Sequence, residues 1–439
     1  MGSKWEKAKL TDHYEIRSGL SKPAKDFGSG YPFLTFKNVF YNYFVPSELT
    51  ELVQSTEKER AGCSVQRGDV FLTRTSETMN ELGMSCVALK SYENSSFNGF
   101  CKRLRPKPES DLIPEYVGYY LRSPRFRNDM LAFSTMSTRA SLNNDMIGRL
   151  DIYYPSPDSQ RKVAHVLKSF DDKITINHQT NQTLEKMAQT LFKSWFVDFD
   201  PVKAKMNGEQ PKGMDALFLS KEVASLFPEK LVESELGLIP DGWNVGTLSD
   251  VAKYCSARTN TDTISLENYI STENMLAEKK GVTAASKLPT AKTVAAYKSG
   301  DILVSNIRPY FKKIWLAEGS GGRSNDVLGF ESVSENTDSY LMNLLYQDTF
   351  FEYMTRTSKG AKMPRGDKTA IMNWEMAVPP VELREAFSAI VDKFYQLIPQ
   401  NRAQNATLES LRDTLLPKLL SGEIDLESVQ VEQVKELAE

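Results

Sequence analysis

Histidine is almost missing from this sequence, and cysteine is scarce. His13, His165 and His178 are the only histidines in 439 residues, and Cys63, Cys86, Cys101 and Cys255 show no CxxC spacing. So few histidines argue against a hydrolytic triad or a histidine-rich metal site. Three cysteines fall in the first half and one in the second, which argues against a shared disulfide framework or zinc site and for reduced thiols in a cytoplasm. No apolar run approaches the ~18–20 residues a membrane span needs. The opening MGSKWEKAKL has no apolar stretch behind its lysines, so it does not read as a secretory signal. An excess of one charge is missing too: the net charge is −3, and bulk charge therefore predicts no nucleic-acid partner. There is no GxxxxGK[ST] phosphate loop. The only double proline, Pro379–Pro380 in AVPPVE, lacks the polar and aromatic neighbours of an amino-methyltransferase turn.

What the sequence has is a length of two to four domains at roughly 100–200 residues each, and an internal repeat. Trp5, Leu10 and Asp12 match Trp243, Leu248 and Asp250. GDVFLTR at Gly68–Arg74 matches GDILVSNIR at Gly300–Arg308. Tyr116, Phe126, Met130, Pro155, Phe170, Ile174, Asn177, Asn181 and Leu184 match Tyr340, Phe350, Met354, Pro379, Phe394, Ile398, Asn401, Asn405 and Leu408. Matching in order across both halves indicates duplication. Each copy reads as short β-type runs separated by Gly-, Ser-, Asn- and Pro-rich loops. A helix follows, around 114–133 in one copy and 339–355 in the other. A final apolar run ends at Pro155 or Pro379 and hands over to a long helix.

The long helices carry a heptad seam. In the first it comprises Leu167, Phe170, Ile174, Asn177, Asn181, Leu184 and Leu191. In the second it comprises Phe394, Ile398, Asn401, Asn405, Leu408 and Leu415, with Arg412 as an interruption and Pro399 predicting a kink or restart. Two such helices are expected to pair with each other, and seam asparagines fix register and partner at some cost in stability. Antiparallel pairing would hold two similar heads at opposite ends of a rod, a device for measuring distance.

Catalytic groups are not evident. Asp69 and Asp301, in the repeated Gly-Asp turns, suit turns that start strands better than metal ligation. Local basicity does stand out. Arg356, Lys359, Lys362, Arg365 and Lys368 surround the single acid Asp367. Arg308, Lys312 and Lys313 interleave with Tyr310 and Phe311. The first copy offers Arg74 with Thr75 and Ser76, Arg139 and Ser141 in STRASLNN, and Arg122, Arg125 and Arg127. Such loops can neutralise phosphates and read base edges, or be ordinary solvated charge.

Three segments carry a resemblance. LFKSWFVDFDPVKAK at Leu191–Lys205, ESELGLIPDGWNVGTLSDVA at Glu233–Ala252 and LLPKLLSGEIDL at Leu415–Leu426, in that order, resemble the specificity subunit of Type I restriction-modification enzymes along essentially the whole chain. The N-terminus departs from the pattern, keeping Trp5 without the LIPDGW lead-in of the second copy. The resemblance implies an α+β protein with two mixed α/β target-recognition domains, separated by two long antiparallel coiled-coil helices in a pseudo-two-fold repeat. Its expected divisions are 1–155 and 242–380 as recognition domains, 156–200 and 381–425 as helical regions, 201–241 as a linker and 426–439 as an acidic tail. It implies a non-catalytic subunit that reads a bipartite site in double-stranded DNA, one domain per half-site. Two methylase subunits and nuclease/translocase subunits are the expected partners, and these bring S-adenosylmethionine, ATP and Mg²⁺; the chain itself is expected to bind no cofactor and no metal. The candidate DNA-contacting residues are Lys37, Asn38, Arg74, Thr75, Ser76, Arg139, Ser141, Asn306, Arg308, Lys312, Lys313, Lys359, Lys362, Arg365 and Lys368. The competing expectations are a coiled-coil scaffold with two non-DNA adaptor heads, and an enzyme with an unrecognised active site.

Overall fold

The computed structural model describes residues 5–76, 81–132 and 140–424. It divides into two compact units, Met1–Ile176 with Gln404–Glu439, and Asn177–Ala403.

In the first unit, strand Glu6–Lys9 pairs antiparallel with Asp151–Tyr154, from Glu6 opposite Tyr154 to Lys9 opposite Asp151. Asp151 accepts ion pairs from Lys7 (3.0 Å) and Lys9 (2.6 Å). A four-stranded antiparallel sheet runs in the order Tyr14–Ser18, Cys101–Pro106, Val70–Thr73, Ser85–Val87. Val70–Thr73 is buried throughout, the behaviour of a short continuous apolar run inside a sheet. Its entry is the Gly-Asp turn. Gly68 takes φ +87°, a conformation that suits glycine, and Asp69 Oδ2 accepts the Gln66 N–H at 2.7 Å.

The second unit repeats the plan. Asn244–Thr247 pairs with Glu375–Val378, and a four-stranded sheet runs Ala252–Tyr254, Val327–Ser332, Ile302–Ser305, Ile314–Leu316. Gly300 takes φ +89° and Asp301 accepts the Lys298 N–H at 2.8 Å. The copies part in their middles. The first holds a three-stranded sheet of Leu52–Val53, Phe27–Leu34 and Ser96–Phe97. The second holds a four-stranded one of Arg258–Asn260, Thr293–Tyr297, Gly321–Arg323 and Tyr269–Ile270.

The single helix expected in each copy is two. Pro114–Tyr120 and Pro124–Ala132 are separated before Pro124, where a proline disfavours helical geometry in its predecessor. Asp338–Leu345 and Asp348–Arg356 are separated at Tyr346–Gln347. The long helices are Pro157–Lys193 and Val381–Ser421. The second continues through Pro399 without the expected restart. Proline there removes the donor for the Tyr395 carbonyl, a cost of about 3 kcal/mol. Burial of Val391 and Ile398 on the seam, worth about 1.5–3 kcal/mol per side chain, offsets it. The stretch 201–241 holds helices Asp200–Met206, Asp215–Phe218 and Lys221–Ser225 and a hairpin of Leu231–Ser234 with Gly237–Pro240.

Both cores rest on the helix pair. In the first unit Leu10, Leu72, Leu104, Tyr120 and Phe126 share one buried cluster with Leu167 and Phe170, and with Leu408, Leu416 and Leu420. In the second, Val304, Phe330, Tyr340 and Phe350 cluster with Leu191, Phe192 and Trp195, and with Leu383 and Phe387. No helix among the described residues is long and apolar enough to cross a membrane.

Candidate nucleic-acid interface

In the second unit three loops meet just beyond strand Ile302–Ser305. Asn306 N–H donates to the Asp326 carbonyl at 2.8 Å, and its own carbonyl accepts the Gly366 N–H at 3.1 Å. Arg308 N–H donates to the Pro364 carbonyl at 2.8 Å. Arg365 bridges Ile307 on one side and Lys359 on the other, so it is the central rung of a small ladder. Gly366 makes the approach close: a Cβ there would lie 2.6 Å from Asn306 Oδ1, and that side chain would have to shift. The Pro309–Phe311 turn projects Tyr310 and Phe311, both exposed, from between Arg308 and Lys312, each at φ +50°. Such backbone in non-glycine residues is uncommon and gathers at functional sites.

The first unit has the same junction. Arg74 N–H donates to the Phe100 carbonyl at 2.9 Å, and the Arg74 carbonyl accepts the Leu142 N–H at 2.8 Å. Thr75 lies opposite Ser141, and Ser76 opposite Ala140. Arg74 therefore stands where Asn306 stands, Thr75 where Ile307 does, Phe100 where Asp326 does, and Ser141 where Arg365 does. This corrects the motif alignment, which set Arg74 against Arg308. Counted from the shared Gly-Asp turn, the place of Arg308 belongs to Ser76. One backbone frame thus carries two different sets of side chains.

The individual candidates have different fates. Lys312 and Lys279 both reach Asp348, at 3.0 and 2.8 Å, and hold its carboxyl below the usual range. Lys313 Nζ donates to the Thr272 carbonyl at 2.6 Å, and burial lowers its pKa. These two lysines brace the domain. The Asn38 carboxamide oxygen is committed to a capping box with Thr35; Lys37 beside it is exposed. Lys359 pairs with Asp367, which caps helix Lys368–Met372 through the Thr369 and Ala370 N–H groups. Lys362 and Lys368 are exposed and, with Arg308, make no ion pair among the described residues. Arg139 lies outside the described residues. Arg122 and Arg127 are structural: Arg122 donates to the carbonyls of Ser85, Val39, Phe40 and Asn42, and Arg127 to that of Leu82. Arg125 lies over the Tyr153 ring.

Neither the histidines nor the turn aspartates assemble a metal site. His13 is buried with Nδ1 3.2 Å from Ser110 Oγ, while His165 and His178 are exposed on the first long helix. Asp69 is buried and ion-paired with Arg105 at 2.6 Å. Among the described residues no three His, Cys, Asp or Glu side chains gather to hold an ion.

The helix seam forms as antiparallel contacts in each unit. In the first, Arg412 pairs with Asp171 at 2.7 Å and Asn405 Nδ2 donates to the Ile174 carbonyl at 3.4 Å. In the second, Asn181 donates to the Ile398 carbonyl (3.4 Å) and accepts from Asn401 (2.8 Å), and Phe192 packs on Phe387. Leu167, Phe170, Ile174, Asn177, Asn181, Leu191, Ile398, Asn405 and Leu408 are buried. Leu184, Phe394, Asn401 and Leu415 are half-buried, and Leu416 takes the inward place beside Leu415. Arg412 does not interrupt the seam. Burial opposes its charge, but the hydrogen bond and charge of Asp171, with Tyr43 and Asp413, together outweigh that and raise its pKa.

Sequence reasoning missed Asp326 and Phe100. One is an acid in a basic neighbourhood and the other an isolated aromatic, so neither fits a basic-cluster pattern. Only the pairing of loops shows that they hold equivalent places.

Known proteins agree with this architecture. The family model for the Type I restriction modification DNA specificity domain matches residues 2–186. The Type I restriction enzyme MjaIX specificity subunit of Methanocaldococcus jannaschii is 27% identical, over 97% of this chain and 94% of that protein. The HindI specificity subunit of Haemophilus influenzae is 24% identical, over 96% and 100%. The crystal structure of the S subunit of the Type I restriction-modification system from M. genitalium shares the fold, with a TM-score of 0.53 at 12% identity, covering 95% of this chain and 96% of that one. With a doubled fold and relatives along nearly its whole length, this chain is similar throughout to Type I restriction-modification specificity subunits.

Proposed function

We propose that this chain is the DNA-reading subunit of a Type I restriction-modification complex, a recognition subunit without catalysis of its own. Each domain reads one half of a bipartite site, and the two long helices set the unread gap and dock methylase subunits. The observation that carries this reading is the repeated three-loop junction. The backbone bonds of Arg74 and of Asn306 are the same, while the side chains mounted on them differ. Two heads built alike and furnished differently are what two unlike half-sites require. Arg308, Lys362 and Lys368 supply cations for phosphates near one junction, and Arg74 and Lys37 for the other domain. Two methylase subunits carry S-adenosylmethionine, and nuclease/translocase subunits carry ATP and Mg²⁺.

The test is to co-express the chain with its cognate methylase, map the methylated bases, and measure DNA affinity against salt. A split motif is expected, with affinity falling about 10³-fold or more between 50 and 200 mM salt if six or more phosphates are neutralised. A complex that retains no DNA would refute the reading.

A further inference from the structure

Asp326 and Arg365 stand side by side on two of the three loops of the second junction. Arg365 Nη2 lies 3.3 Å from Asp326 Oδ1 and 3.4 Å from Oδ2. The contact is loose, and both side chains face solvent, Arg365 57% and Asp326 37% exposed. The guanidinium makes no other hydrogen bond to the described residues. An exposed pair of this kind contributes little to stability. Yet its backbone is fixed more firmly than loops usually are. Arg365 is bonded in both directions to Lys359 and bridged to Ile307, and the Asp326 carbonyl receives the Asn306 N–H. Two opposite charges are thus presented outward on a rigid platform, which is what a preorganised recognition site needs.

Together they offer two donors, fixed side by side on one guanidinium, and an acceptor about one hydrogen-bond length from Nη2. The major-groove edge of a G·C pair presents the complementary row: guanine N7 and O6 accept, and cytosine N4 donates. An A·T pair presents acceptor, donor, acceptor, so the carboxylate would face the thymine O4 and be repelled. We propose that Arg365 and Asp326 together read one G·C base pair in the half-site of the second domain, Arg365 donating to the guanine and Asp326 accepting from the cytosine amino group. This rests on the DNA-reading function above. The first domain cannot make the same reading, because Phe100 and Ser141 occupy the two equivalent places.

The experiment maps the methylated motif of the complex formed with the cognate methylase, for the natural chain and for Arg365→Lys, Arg365→Ala and Asp326→Ala. Arg365→Lys keeps the charge beside Asp326 but loses the bidentate fork. Unchanged thermal unfolding of that variant shows that the domain still stands. The natural chain is expected to require a G·C pair in one half-site. Each variant should relax that single position, with discrimination falling roughly 5- to 150-fold, and should leave the other half-site as it was. Phe100→Ala should alter only the other half-site. A motif unchanged in Arg365→Lys and Arg365→Ala, or a second half-site with no G·C position, overturns the assignment while leaving the DNA-reading function intact. A natural complex that methylates no split motif overturns both.

Discussion

Asp69 shows how one carboxylate holds a domain together. It is fully buried, and its two oxygens take the Gln66 N–H and both the Nε and Nη2 of Arg105, at 2.6–2.7 Å. Truncation would leave a partly buried guanidinium without its partner, which costs about 3–5 kcal/mol. Asp301 occupies the same turn in the second unit, but its ion-pair partner Lys298 is 66% exposed. Its loss should cost about 1–3 kcal/mol, chiefly through the unsatisfied turn N–H. Asp69→Ala is therefore expected to lower the thermal midpoint of unfolding more than Asp301→Ala. A chelator should leave the natural chain's midpoint unchanged, since the Asp69 oxygens are already engaged. A shift on chelation would restore the metal reading. The turn itself was legible in the repeated Gly-Asp. Arg105 was not, because it lies 36 residues away on another strand, where no spacing rule reaches.

Among the elements, the helix pair was the most legible, since a heptad pattern states which face is buried. What the pattern could not state is how polar seam positions are satisfied. Asn181 spans from the Ile398 carbonyl to the Asn401 amide, a closed polar link in an apolar seam. Asn181→Leu should destabilise by about 1–3 kcal/mol, because the Asn401 amide loses its acceptor. Adding Asn401→Leu should recover most of that, since two apolar side chains replace a satisfied pair. A double-mutant cycle read by thermal unfolding checks this; additive losses would show that the two asparagines do not act together. Arg412 and Pro399 were misread for one reason. Each looks like a defect when only its own helix is considered. The Asp171 carboxylate makes the arginine a contact, and neighbouring burial lets the helix tolerate the proline.

For the whole molecule, duplication was readable from matched residues, and the structure repeats it in the strand pair and four-stranded sheet of each unit, while the middles differ. The junction side chains were half readable. Arg365 belongs to a basic cluster, but Asp326 and Phe100 follow no period, and their roles arise from loops brought together by the fold. If the helices set the gap between half-sites, removing seven residues from each at facing positions keeps the heptad. It shortens the pair by about 10 Å, or roughly three base pairs at ~3.4 Å each. The methylated motif should keep both half-sites and lose about that much spacer; an unchanged spacer would dismiss the ruler. The first unit's core carries a further consequence. Leu10 and Tyr120 share it with Leu408, Leu416 and Leu420, so it draws on both ends of the polypeptide, whereas the second unit is continuous. As the chain leaves the ribosome, the second unit has all its parts while the first still waits for its closing helix. The domain that is translated first is therefore expected to finish folding last.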